Sequence, residues 1–183
     1  MSQLPSRRSF LRQSGRVAVA GALFAVVPGV SIASIRQRSL ALDHTHTLEN
    51  LALVYAQDDA YVPSALERLN HFLRDHYSGR VGTMDPRLYD LLYRLRVSLG
   101  IRYPIQVISA YRDPATNEHL RKTRGGGVAR RSLHMEGRAM DIRVPGVKLT
   151  ELRDAALALK AGGVGFYPHE NFVHVDTGPV RSW

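Results

Sequence analysis

Residues 132–144 read SLHMEGRAMDIRV, and this stretch decides the fold. His134 is followed seven positions later by Asp141, with Gly137 and the small Ala139 between them. From Met140 to Val144 the chain alternates in the manner of a strand, so His134 belongs to the loop that feeds it. Gly137 lets that loop bend without a steric penalty. An imidazole and a carboxylate at the mouth of one strand are two groups that can share a metal ion.

The C-terminal stretch NFVHVDTG, 171–178, supplies a third. In a strand alternate residues share a face, so His174 and Asp176 point together while Val173 and Val175 face the core. Two imidazoles and one carboxylate, His134, His174 and Asp141, suit zinc and leave a fourth position for water, the arrangement of a catalytic centre. The chain has no cysteine, which excludes disulfides and thiolate metal sites. Of the eight histidines, His44 and His46 in HTH read as a solvated turn. His71, His76 and His119 read as surface residues of helical segments.

Outward from these motifs, the pattern predicts an α+β fold with one domain over residues 34–183. A hairpin comes first, with strands around Ser39–Leu42 and Glu49–Tyr55. Helices follow from Pro63 and from Pro86, the second capped by Asp85 and stopped near Gly100. PIQVIS, 104–109, reads as a buried strand. A short helix begins near Pro114, with Asp113 as its cap, and another spans Leu149–Ala161. GGVGFY and NFVHVDTG are two strands separated by Pro168. Helices largely precede a small antiparallel, hairpin-joined sheet that carries the metal ligands.

Residues 1–33 have a different character. SRRSFLR precedes the charge-free VAVAGALFAVV and then PGVSIAS, the layout of an export signal with a cut after Ala33. Arg7 and Arg8 followed by Phe10 and Leu11 resemble the twin-arginine signal, which implies the periplasm. The apolar run is shorter than the roughly 18 to 20 residues that span a bilayer, so no stable membrane span is expected after cleavage. The segment holds four arginines and no acid, so its removal lowers the net charge from +9 to +5. Much of the basicity therefore belongs to targeting. The glycine-rich RKTRGGGVARR, 121–131, has no interleaved aromatics for base stacking. Nucleic acid is thus not an expected partner.

SLHMEGRAMDI fits the S-x-H-x-x-G-x-A-x-D pattern and resembles the D-Ala-D-Ala carboxypeptidase/Hedgehog-like metallopeptidases of the M15 type. ISAYRDPATN resembles that family's S-x-Y-R stretch. GGVGFYPHENFVHVDTGPVRSW is similar to the C-terminal signature of the YcbK-like, murein endopeptidase K branch. The resemblance covers the whole chain after the leader. It implies one Zn2+ ion held by His134, Asp141 and His174, and hydrolysis of peptide crosslinks in peptidoglycan by a monomer. It further implies that Arg112 stabilises the developing oxyanion or binds a substrate carboxylate, and that Ser132 contacts substrate or caps a turn. Many relatives carry a Glu or His two or three residues before the last ligand. Here Phe172 and Asn171 stand there, and neither can accept a proton. Asp176 is the first candidate for the base, or else it orients His174; His169 and Glu170 flank the site. A non-catalytic wall-binding domain with a retained zinc site is the alternative.

Overall fold

The computed structural model describes residues 36–123 and 127–183. The expected export signal and the centre of the glycine-rich loop lie outside the described residues. Residues 34–183 form one compact unit. Its first strands, β1 (Gln37–His44) and β2 (Asn50–Gln57), make the expected hairpin, and a two-residue strand β3 (Ala60–Tyr61) continues it. Helices α1 (Pro63–Phe72) and α2 (Pro86–Ser98) follow. Asp85 caps α2 by accepting the Arg87 N–H at 3.0 Å. Then come β4 (Ile105–Ser109), α3 (Pro114–Thr123), a single 3-10 turn at Leu133–Glu136, β5 (Ala139–Arg143) and α4 (Leu149–Leu159). The chain closes with β6 (Gly163–Tyr167), β7 (Phe172–Asp176) and the two-residue β8 (Arg181–Ser182).

The fold is α+β, with the strands in a single sheet ordered β3-β2-β1-β4-β5-β7-β6-β8. It is larger than the small sheet expected, and it is mixed. β1 pairs parallel with β4, and β6 parallel with β8. The first parallel pair arises because β2 and β4 flank β1 and run antiparallel to each other: the long connection through α1 and α2 carries the chain from β2 past β1, so β4 docks on the far side of β1 in the direction of β1. β3 and β8 are too short to leave a periodic signal in sequence.

The core forms where the apolar faces of α1, α2 and α4 meet the sheet. Leu69 of α1, Leu88, Leu92 and Leu95 of α2, and Leu152 of α4 are fully buried with Leu42, Ile105, Val107, Ile142, Val173 and Val175 of the strands. Burying a side chain of this size contributes about 1.5–3 kcal/mol.

The HTH segment departs from the solvated turn expected of it. Along β1 the buried residues are Leu40, Leu42 and His44, so strand alternation carries His44 onto the core face. Its Nδ1 accepts the N–H groups of His46 and Thr47 at 3.3 and 3.4 Å. Its ring packs edge-on against Phe72 and His76, and His76 stacks on His46 at 4.2 Å. His76 is half-buried and lies in the turn after α1, unlike the exposed His71 and His119.

Candidate metal centre

Strand register brings the site together. Asp141 of β5 stands directly opposite His174 of β7, and Ser109 of β4 and Gly165 of β6 extend the same row. His134 joins from the 3-10 turn that precedes β5. Ser132 caps that turn, its Oγ accepting the His134 N–H, and Gly137 ends it at φ +65°. A Cβ on Gly137 would stand 2.0 Å from the Thr83 carbonyl oxygen, so both the backbone angle and the packing require glycine.

Three ligand atoms converge. Asp141 Oδ1 lies 2.9 Å from His174 Nδ1 and 3.3 Å from His134 Nε2, and the two nitrogens are 3.3 Å apart. Donors about 2.0–2.1 Å from one tetrahedral ion are separated by about 3.3–3.4 Å, so this triangle has the size such an ion requires. No other group of three ligating side chains is so placed among the described residues.

The outer nitrogens are fixed as well. His134 Nδ1 donates to the Ala110 carbonyl at 2.6 Å, which turns an unprotonated Nε2 to the centre. His174 Nε2 donates to Asp176 Oδ2 at 3.1 Å, which turns Nδ1 inward. Such partners set ring orientation and raise ligand basicity.

The electrostatics agree. Burial holds the His134 pKa below its ordinary value, against the pull of Asp141, so the ring is neutral and able to ligate. Burial alone would raise Asp141 and lower His174. The contacts among His134, Asp141 and His174, with Asp176, outweigh it, so the Asp141 carboxyl lies well below the usual carboxylate range and His174 lies above its own. A site that draws a proton to His174 between two carboxylates presents the same negative field to a divalent cation, which displaces that proton on binding.

The centre opens into a cleft of about 520 Å³. One wall is basic, with Arg112 and Arg131; the other is aromatic, with Tyr167, Phe172 and Trp183. Trp183 lies 5.2 Å from the His174 ring, and its Nε1 donates to Tyr167 Oη at 2.7 Å. Gly165 makes room for it, since a Cβ there would meet the indole at 2.7 Å. Arg112 Nη2 sits 3.9 Å from Asp141 Oδ2 and donates to Ser109 Oγ at 3.3 Å.

Other expected residues fall as follows. Ser132 is buried, lines the cleft and caps the turn. Asp176 is wholly buried, and donors surround both its oxygens: His174, the Gly163 and Gly178 N–H groups, and Arg181 at 2.7 Å. Asn171 occupies a tight turn at φ +57°, a conformation that asparagine tolerates well. Glu170 lines the cleft and His169 does not. Asp113 caps α3 through the Ala115 N–H. Asn117, Ala110 and the aromatic wall carry no signal in the sequence: Ala110 and the wall act through contacts between segments distant in the chain, and the Asn117 contacts exist only once α3 and the loop after it are placed.

A profile of the family described as "Peptidoglycan L,D-endopeptidase MepK" matches residues 31–183. The chain is 42% identical over 183 residues, all of both chains, to the "Peptidoglycan L,D-endopeptidase MepK" of Escherichia coli strain K12. It is 38% identical over 153 residues to a "Probable peptidoglycan L,D-endopeptidase MepK" of Haemophilus influenzae, covering 83% of this chain and 82% of that one. With the His134–Asp141–His174 centre in place, these similarities mean that the chain belongs to the M15 metallopeptidase family of the MepK type.

Proposed function

We propose that this protein is a zinc-dependent endopeptidase that hydrolyses peptide crosslinks of peptidoglycan in the periplasm, after export by the twin-arginine route. The relatives are named peptidoglycan L,D-endopeptidases, which supports L,D bonds as the ones it cuts. The observation that carries the reading is the triangle of His134, Asp141 and His174 at the base of an open cleft. These residues would hold one zinc ion, which would supply Lewis acidity and activate a water. The leader over 1–33 supports export. No helix among the described residues is long and apolar enough to cross a membrane.

Arg112 stands beside the centre on the basic wall and stabilises the charge that develops on the scissile carbonyl oxygen. Ser132, lining the cleft, offers its hydroxyl proton to the bound peptide. Asp176 has its oxygens engaged by five donors, which supports a role in orienting His174 rather than in accepting a proton from water. Glu170 is the one carboxylate lining the cleft, Asp141 apart, and it has no hydrogen bond or ion pair among the described residues. It is assigned the proton transfer to the leaving amine.

Defined muropeptide dimers, one joined through an L,D and one through a D,D bond, test the reading with mass spectrometry of the products. Cleavage of the L,D dimer to monomers is expected. Intact L,D dimer after incubation with folded, zinc-loaded protein would overturn it.

A further inference from the structure

Asn117 lies in the first half of α3 and is 2% exposed, yet both ends of its amide are used. Its Oδ1 accepts Arg112 Nη1 at 3.4 Å. Its Nδ2 donates to the Ala129 carbonyl at 3.1 Å. Ala129 belongs to the basic wall, together with Val128 and Arg131. The backbone of Asn117 is itself pinned, its N–H donating to the Asp113 carbonyl at 2.9 Å. Asp113 is held in turn, its N–H donating to the buried Asp75 at 2.8 Å.

A buried amide on a fixed helix thus joins the cleft's basic wall to the guanidinium beside the metal ligands. Arg112 has a long side chain, and ordering such a chain costs rotamer freedom. Partners on rigid elements lower that cost before substrate arrives. Ser109, on β4, is one such partner, at 3.3 Å. Asn117 is another, and unlike Ser109 it also reads the position of the loop.

We infer that Asn117 is a positioning residue: it aims Arg112 at the reacting carbonyl and couples that aim to the loop 127–131 that walls the cleft. Substrate pressing on the wall at Val128–Arg131 steadies Ala129, and Ala129 steadies the Asn117 amide that orients Arg112. The inference rests on the role given to Arg112 above, and the experiment separates the two.

Turnover of the L,D-linked dimer is measured for Asn117→Ala, Arg112→Ala and the double variant, with zinc content and amide exchange at 128–131 read on the same proteins. Asn117→Ala is expected to lower kcat about tenfold with zinc content unchanged; tenfold corresponds to about 1.4 kcal/mol, near the low end for a hydrogen bond to a charged group, as suits the long 3.4 Å contact. In the Arg112→Ala background the same change is expected to have no further effect on kcat. Amide exchange at 128–131 is expected to rise in Asn117→Ala. Asn117→Asp, which keeps an acceptor for Arg112 but loses the donor to Ala129, is expected to restore kcat to within about fivefold while exchange stays raised. A full tenfold loss that persists in the Arg112→Ala background, or unchanged exchange in Asn117→Ala, would overturn the inference. Unchanged kcat in Arg112→Ala alone would instead overturn the role of Arg112.

Discussion

Replacing Asp176 by Asn separates an orienting carboxylate from a catalytic base. Oδ2 accepts His174 Nε2 at 3.1 Å and Arg181 Nη2 at 2.7 Å; Oδ1 accepts Gly163 N at 2.9 Å, Gly178 N at 2.8 Å and Arg181 Nη1 at 3.2 Å. An Asn must put an NH2 where one oxygen stood. Whichever way it turns, that donor faces other donors. If it faces His174, the imidazole loses its partner, a loss that typically weakens metal affinity about 10- to 100-fold. This corresponds to about 1.4–2.7 kcal/mol of binding free energy. If it faces the two glycines, buried N–H groups go unsatisfied and stability falls by about 1–3 kcal/mol for each. Zinc affinity is measured by competition with a chromophoric chelator, stability by thermal melting, and kcat at saturating zinc. The expected result is weaker zinc binding or a lower Tm, with kcat at saturating zinc within about threefold of wild type. Unchanged zinc affinity and Tm with a kcat reduced a hundredfold would refute the orienting role.

Three further outcomes follow from the geometry. Glu170→Gln is expected to lower kcat about 100-fold or more with zinc content unchanged, checked by steady-state kinetics and elemental analysis. Gly137→Ala is expected to cost at least about 1 kcal/mol from its left-handed backbone alone, and more from the contact with Thr83, read as a drop in Tm together with lost zinc. Stability is expected to fall with pH in the window between 6.5 and about 4. Burial first, then the neighbouring cationic groups, lowers both His44 and His76 to about 4 from 6.5. The unfolded chain then binds protons that the fold refuses, so the stabilisation is complete above pH 6.5 and is lost as pH falls through the folded values. His46 stacks on His76, and the Arg74–Glu49 pair stands beside His44, so these are the charged and titratable neighbours of the two rings. His44→Asn, whose amide oxygen can replace Nδ1, is expected to flatten that slope in melts from pH 7 to pH 4.

What the sequence made legible was local. Asp85 before Pro86, the bend at Gly137 and the alternation of FVHVD each carry their own signal over a few residues. Chemistry offered His134, Asp141 and His174 as possible ligands and the resemblance to the M15 peptidases singled them out, although neither shows that Asp141 and His174 stand opposite one another. That follows from the register of β5 on β7, a pairing between segments more than thirty residues apart. For the same reason the parallel pairing of β1 with β4 was hidden, as was the burial of His44. A histidine in a turn-rich stretch looks solvated until strand alternation is traced through Leu40 and Leu42. Asn117 gave no sign, because its neighbours Arg112 and Ala129 meet it only once α3 is placed. Asn171 reads as an absent base in sequence; in the fold its left-handed backbone makes the turn that sets β7 in register.

The central claim is that His134, Asp141 and His174 hold one ion without which the cleft does no chemistry. Its most direct test is zinc titration of metal-free protein, with bound metal and hydrolysis of the L,D-linked dimer followed in the same samples. The account predicts that activity rises in proportion to the first equivalent of zinc and then levels, and that His134→Ala, though folded, neither binds that equivalent nor turns over. Full activity in the metal-free protein, or in His134→Ala, would contradict it.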